Sequence, residues 1–125
     1  MKILALLFSS VFLLHADDGF AKWFQRFQSA VAKGNADFVT EHAEFPMAWE
    51  WGSTRKIEAR AVLTGRFDFY FTDDIKKAVA EAKPVRLKTG DYMFTWKARG
   101  NEYSMYFKPV IGGAFALFAL SEGPP

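Results

Sequence analysis

Not one cysteine occurs among the 125 residues. A chain this short, with no disulfide to constrain its unfolded state, has to be held together by packing alone. The material for that packing is aromatic: 14 phenylalanines, 4 tryptophans and 4 tyrosines make up 18% of the sequence. The missing thiol also removes the acylated anchor of a bacterial lipoprotein and the ligand chemistry of most structural zinc sites.

The N-terminus has the three parts of a secretory signal peptide. Met1-Lys2 supply one positive charge, an apolar run follows from Ile3 to Leu14, and His15-Ala16 lead into Asp17-Asp18. The run falls short of the about 20 apolar residues that a membrane span requires. Cleavage after Ala16 would leave about 109 residues and a periplasmic or secreted product, enough chain for a single domain and too little for two. The expected organisation is a leader over 1–16, one α+β domain over 17–120 and a flexible tail over 121–125. Lysine and arginine number 16 against 14 acidic residues. That near-neutral balance, with no basic stripe, speaks against nucleic acid as a partner.

Along the domain, Phe20, Trp23, Phe24, Phe27, Ala30 and Val31 recur at helical spacing up to Gly34. A shorter helix capped by Asn35 is expected next, with Phe38, Val39 and His42 on one side. Phe45, Met47, Trp49 and Trp51 then alternate as in a strand, and Pro46 suggests a sheet edge. Gly52-Ser53 turns the chain into a short second arm over 54–57, and a brief helix is expected over 58–63. Residues 67–71 fit either a strand or a helical turn. Thr72-Asp73-Asp74 opens a helix that Pro84 stops. Four strand-like stretches, 84–88, 91–99, 101–108 and 114–120, are parted by turns short enough to require antiparallel pairing. The last, Ala-Phe-Ala-Leu-Phe-Ala-Leu, is apolar on both faces and belongs in the middle of a sheet or under cover on both sides.

This order resembles the nuclear transport factor 2-like superfamily, in its exported, uncharacterised bacterial type. The likeness is carried by the aromatic first helix followed by Lys33-Gly34-Asn35-Ala36, by Glu44-Phe45-Pro46-Met47, by the helix from Thr72 and by the closing aromatic strands. It implies a cone: N-terminal helices packed on a curved antiparallel sheet, with a pocket in the concavity. Ketosteroid-isomerase-like members pair a carboxylate with a first-helix tyrosine, which this chain lacks. Dehydratase-like members use a histidine and carboxylate pair.

Few residues here point to chemistry. His42 is the sole histidine outside the leader, so metal sites and histidine-based mechanisms are tightly limited, and neither a metal nor another cofactor is predicted. As catalytic candidates the residues leave His42 as a base, with Asp68 or Glu44 as its carboxylate. No serine sits in a G-x-S-x-G elbow, and Gly112-Gly113 lacks the spacing of a phosphate loop. A ligand pocket would draw on Trp49, Trp51, Tyr70, Tyr92, Trp96 and Tyr106, whose rings join apolar bodies to polar tips. The leading expectation is a non-catalytic domain that binds a small apolar or amphipathic ligand, or a protein partner. A small lyase or isomerase built on His42, and an inhibitor or immunity-type interaction protein using the outer sheet face near Met93 and Thr95, are the alternatives. Homodimerisation through that face is a related expectation.

Overall fold

The computed structural model describes residues 18–125, so the expected leader and its expected cleavage site lie outside the described residues. Helix α1 (Asp18–Lys33) turns Phe20, Trp23, Phe24, Phe27, Ala30 and Val31 inward. Gly34, at φ +72°, ends it in a Schellman turn: the Gly34 N–H donates to the Val31 carbonyl and the Asn35 N–H to that of Ala30. Asn35 then caps α2 (Ala36–Glu41), its side-chain oxygen accepting from the Phe38 N–H at 3.1 Å. A hairpin of β1 (Ala43–Trp51) and β2 (Thr54–Ile57) follows, then α3 (Arg60–Gly65), the single turn α4 (Phe67–Tyr70) and α5 (Asp73–Glu81). The chain closes with β3 (Val85–Arg86), β4 (Tyr92–Ala98), β5 (Asn101–Val110) and β6 (Ala114–Gly123). No helix among the described residues is long and apolar enough to cross a membrane.

All six strands form one sheet in the order β2-β1-β6-β5-β4-β3. β1 runs parallel to β6, and every other neighbouring pair is antiparallel. As its doubly apolar sequence implied, β6 lies centrally, between β1 and β5. On β4, Tyr92 and Phe94 are buried while Thr95 and Lys97 are exposed, which matches the alternation in the sequence.

The expected cone is not what forms. The α+β class holds, but the sheet is mixed and open, neither closed nor curled, and β2 and β3 remain as two separate edges. Element order alone is satisfied as well by an open sheet as by a wrapped one, because the rings of α1 cover the inner face without strands bending round them. Phe20 stacks on Tyr92 at 4.0 Å, Phe24 meets Phe94 at 5.9 Å, and Phe27 meets Phe107 edge-on at 5.2 Å. The space once expected to be a concavity under α1 is therefore occupied by side chains.

Three finer expectations also change. Pro46 does not mark an edge, since β1 is flanked on both sides. It is tolerated because the β1–β6 ladder is interrupted between Ala43 and Ala48, and the β2 pairing begins only at Met47. The strand expected over 84–88 shrinks to Val85–Arg86. β6 continues through Gly123, three residues into the supposed tail, because the Glu122 N–H and carboxylate both find partners within the sheet.

Candidate functional site

The ambiguous stretch after α3 adopts the helical alternative. One turn places Phe67, Tyr70 and Phe71 inward and leaves Asp68 and Phe69 outside, Phe69 being 52% exposed. The Phe71 N–H closes the turn on the Phe67 carbonyl at 2.7 Å. Immediately afterwards Thr72 caps α5, its hydroxyl oxygen accepting from the Ile75 N–H at 3.4 Å. The α4 turn is thus tied directly to the capped start of α5.

β1 faces it with two tryptophans on one side of the strand. Trp49 is fully buried, packs on Phe71 at 5.1 Å and donates its indole N–H to the Tyr70 carbonyl at 3.3 Å. Trp51, one pleat further, reaches the Gly52-Ser53 turn that opens β2; Gly52 holds φ +62°, where a side chain would be strained. Between the hairpin and α4 lies a hollow of about 370 Å³ lined by Trp49, Trp51, Gly52, Ser53, Thr54, Asp68, Phe69, Tyr70 and Thr72. Its walls are rings, and its rim is hydroxyls and one carboxylate.

Behind Trp51 the sheet is stiffened by a polar knot. The Trp51 ring lies 4.6 Å from that of Tyr103, whose hydroxyl donates to Glu122 Oε2 at 2.9 Å. The same oxygen accepts from the Asn101 amide at 2.8 Å, and the Glu122 N–H donates to Glu50 Oε1 at 2.7 Å. Burial, and then the neighbouring Glu122 carboxylate, push the Tyr103 phenol above its ordinary value of 10.0. β4 and β5 are joined by the two-residue turn Arg99-Gly100, with φ +56° and +79°, and this carries the Arg99 guanidinium to 5.1 Å from the Trp51 ring centre.

No family model, curated protein or solved structure matches the chain. The likeness to the nuclear transport factor 2-like superfamily, and with it the exported bacterial type of that family, is thereby withdrawn on comparison as well as on sheet shape. Meaning has to come from the residues themselves.

Of the six pocket residues expected from sequence, Trp49, Trp51 and Tyr70 meet at this hollow. Trp96 lies 6.4 Å from Trp51 by ring centres and backs it without lining the space. Tyr92 belongs to a different depression of about 330 Å³ beside Phe20, Phe24 and Pro84. Tyr106 contacts Phe118 at 5.9 Å and lines neither hollow.

The catalytic candidates lie against different elements. His42 stacks on Phe38 at 4.2 Å, with Nδ1 2.8 Å from the Phe38 carbonyl. Glu44 pairs with Lys108 of β5 at 2.7 Å, and Asp68, its side chain 85% exposed, pairs with Lys76 of α5 at 3.1 Å. Each carboxylate is thus engaged by a lysine rather than by the imidazole. Among the described residues no group of three or more His, Asp or Glu side chains is placed to hold a metal ion. Phe69, which lines the hollow, and Arg66 and Arg99, which lean on its rings, are not among the site residues expected from sequence.

Proposed function

We propose that the chain is a non-catalytic binding domain whose small apolar or amphipathic ligand sits in the hollow between the β1–β2 hairpin and α4. One observation carries this reading: a recess of about 370 Å³, the size of a small ligand site, is walled by Trp49, Trp51, Phe69 and Tyr70. Of these rings Phe69 is the one open to solvent, and it loses water favourably when an apolar body covers it, at little cost in side-chain entropy. Phe69 is half exposed without a ligand, although the fold buries Phe67 and Phe71 on the same turn. The lyase or isomerase alternative draws less support, because among the described residues His42 stacks on Phe38, away from the hollows that Asp68 and Glu44 line.

The test is a titration of tryptophan emission with 1-decanol, a neutral apolar probe. Saturable quenching is expected, weakened several-fold in Phe69→Ala and unchanged in His42→Ala. A linear, unsaturable response in the folded parent protein would end this reading.

A further inference from the structure

Two arginines lean on rings that wall this hollow, each standing just outside its lining; Arg66 itself lines the neighbouring depression that shares Asp68 and Phe69. Arg66, at the junction of α3 and α4, holds its Cζ 4.1 Å from the centre of the Phe69 ring. Arg99, in the β4–β5 turn, does the same over Trp51 at 5.1 Å, and its guanidinium lies alongside Gly52. Both rings line the same space. Among the described residues neither guanidinium meets a carboxylate or a hydrogen-bond acceptor.

The nearby charges are otherwise accounted for. Asp68, the acid in the lining, is neutralised by Lys76 at 3.1 Å. Arg55 is occupied by the carbonyls of Gly52 and Thr54, at 3.1 and 2.9 Å. Asp73 and Asp74 stand exposed in the first turn of α5, where they offset the partial positive charge of that helix end. What remains unmatched beside the rings of the hollow is positive. A guanidinium stacked on a ring keeps its N–H donors in its own plane, pointing away from the ring, so a planar oxyanion can be bound at the edge without breaking the stack.

We propose that the ligand is an anionic amphiphile, a monocarboxylate with an apolar body. The body covers Trp51, Phe69 and Tyr70, and the head is taken by Arg66 or Arg99. If each atom needs about the 30 Å³ of a liquid water molecule, the recess holds about a dozen non-hydrogen atoms, the size of decanoate. This deepens the reading of the preceding section and rests on it, so the probes are chosen to separate the two.

The experiment titrates the full chain with decanoate, 1-decanol and decylamine at low and high salt, following tryptophan emission. Decanoate is expected to bind about tenfold more tightly than decanol at low salt, as a charge-assisted hydrogen bond allows, and to lose much of that margin at high salt. The double variant Arg66→Gln/Arg99→Gln should bring decanoate down to the level of decanol while leaving decanol binding in place. Asp68→Asn should tighten decanoate, because it removes the one acid in the lining. Equal affinity for decanoate and decanol, or a preference for decylamine, would overturn the anionic head and leave the apolar site standing. Binding of none of the three would overturn both readings.

Discussion

The rings under α1 and the rings at the hairpin hollow come from the same residue types, and the structure uses them in opposite ways. Under α1, Phe27 is fully buried, with Trp23, Phe24 and Phe107 within 5.8 Å by ring centres, so every added ring fills space. At the hollow, Phe69 meets Arg66 on its face and Tyr70 edge-on at 5.0 Å, and it keeps about half its surface open. The difference comes from what supplies the neighbours. A sixteen-residue helix laid across a sheet brings a continuous ridge of side chains, whereas a single helical turn beside a two-residue hairpin loop brings only a few, and a gap remains. Aromatic content therefore says how strongly a chain can pack, while the length of the facing element decides whether a recess is left.

The contrast can be broken most sharply at Phe27. Truncation to Ala should cost about 3–5 kcal/mol, a large part of the stability of a small domain, and should be visible as a lowered midpoint in urea unfolding. A loss below about 1 kcal/mol would mean that the interior is less filled than its burial implies. Trp49 joins the two regions, being packed like a core residue while bonded to the backbone of the α4 turn. Trp49→Phe removes both the indole bond and part of the volume, and a loss of about 1–3 kcal/mol is expected, with weaker ligand binding as α4 loosens.

Alkaline pH probes the knot behind Trp51. Because folding raises the Tyr103 pKa, the folded state holds that proton more tightly than the unfolded chain does. The resulting stability is complete below the ordinary tyrosine value of 10.0 and drains away as the pH rises through the higher folded value. Thermal melts should therefore weaken above about pH 10, and Tyr103→Phe should flatten that fall. An unchanged alkaline limb in the variant would remove Tyr103 as its cause. The smallest effect on stability belongs to Phe69→Ala: within about 0.5 kcal/mol of the parent, as for other surface changes, although binding suffers. A large destabilisation would instead make Phe69 part of the core and close the distinction between the two regions.

Local signals read well wherever the structure they specify is itself local. The ring spacing of α1, the Asn35 and Thr72 caps, and the short turns that part β4, β5 and β6 all act over a few residues and appear as the sequence implies. Pro46 misled because its missing N–H was weighed against a regular ladder, whereas the ladder breaks there. The pairing of β1 with β6 joins Ala48 to Ala119, and nothing in either segment names the other. Half of the expected pocket, Trp49, Trp51 and Tyr70, could be read from ring-rich segments. Phe69, Arg66 and Arg99 could not, because their importance lies in which tertiary neighbours they meet.

By itself the sequence determined that this cysteine-free chain must rest on aromatic packing, which segments outside 67–71 are helix or strand, and which side of each is apolar, since those properties follow from spacing and turn chemistry along the backbone. Only the tertiary structure decided that the sheet stays open, that β1 lies inside it rather than at its edge, and that two guanidiniums lean on the rings of one recess. Those outcomes depend on contacts between residues far apart in the chain, where packing of whole faces overrides any signal a short segment can carry.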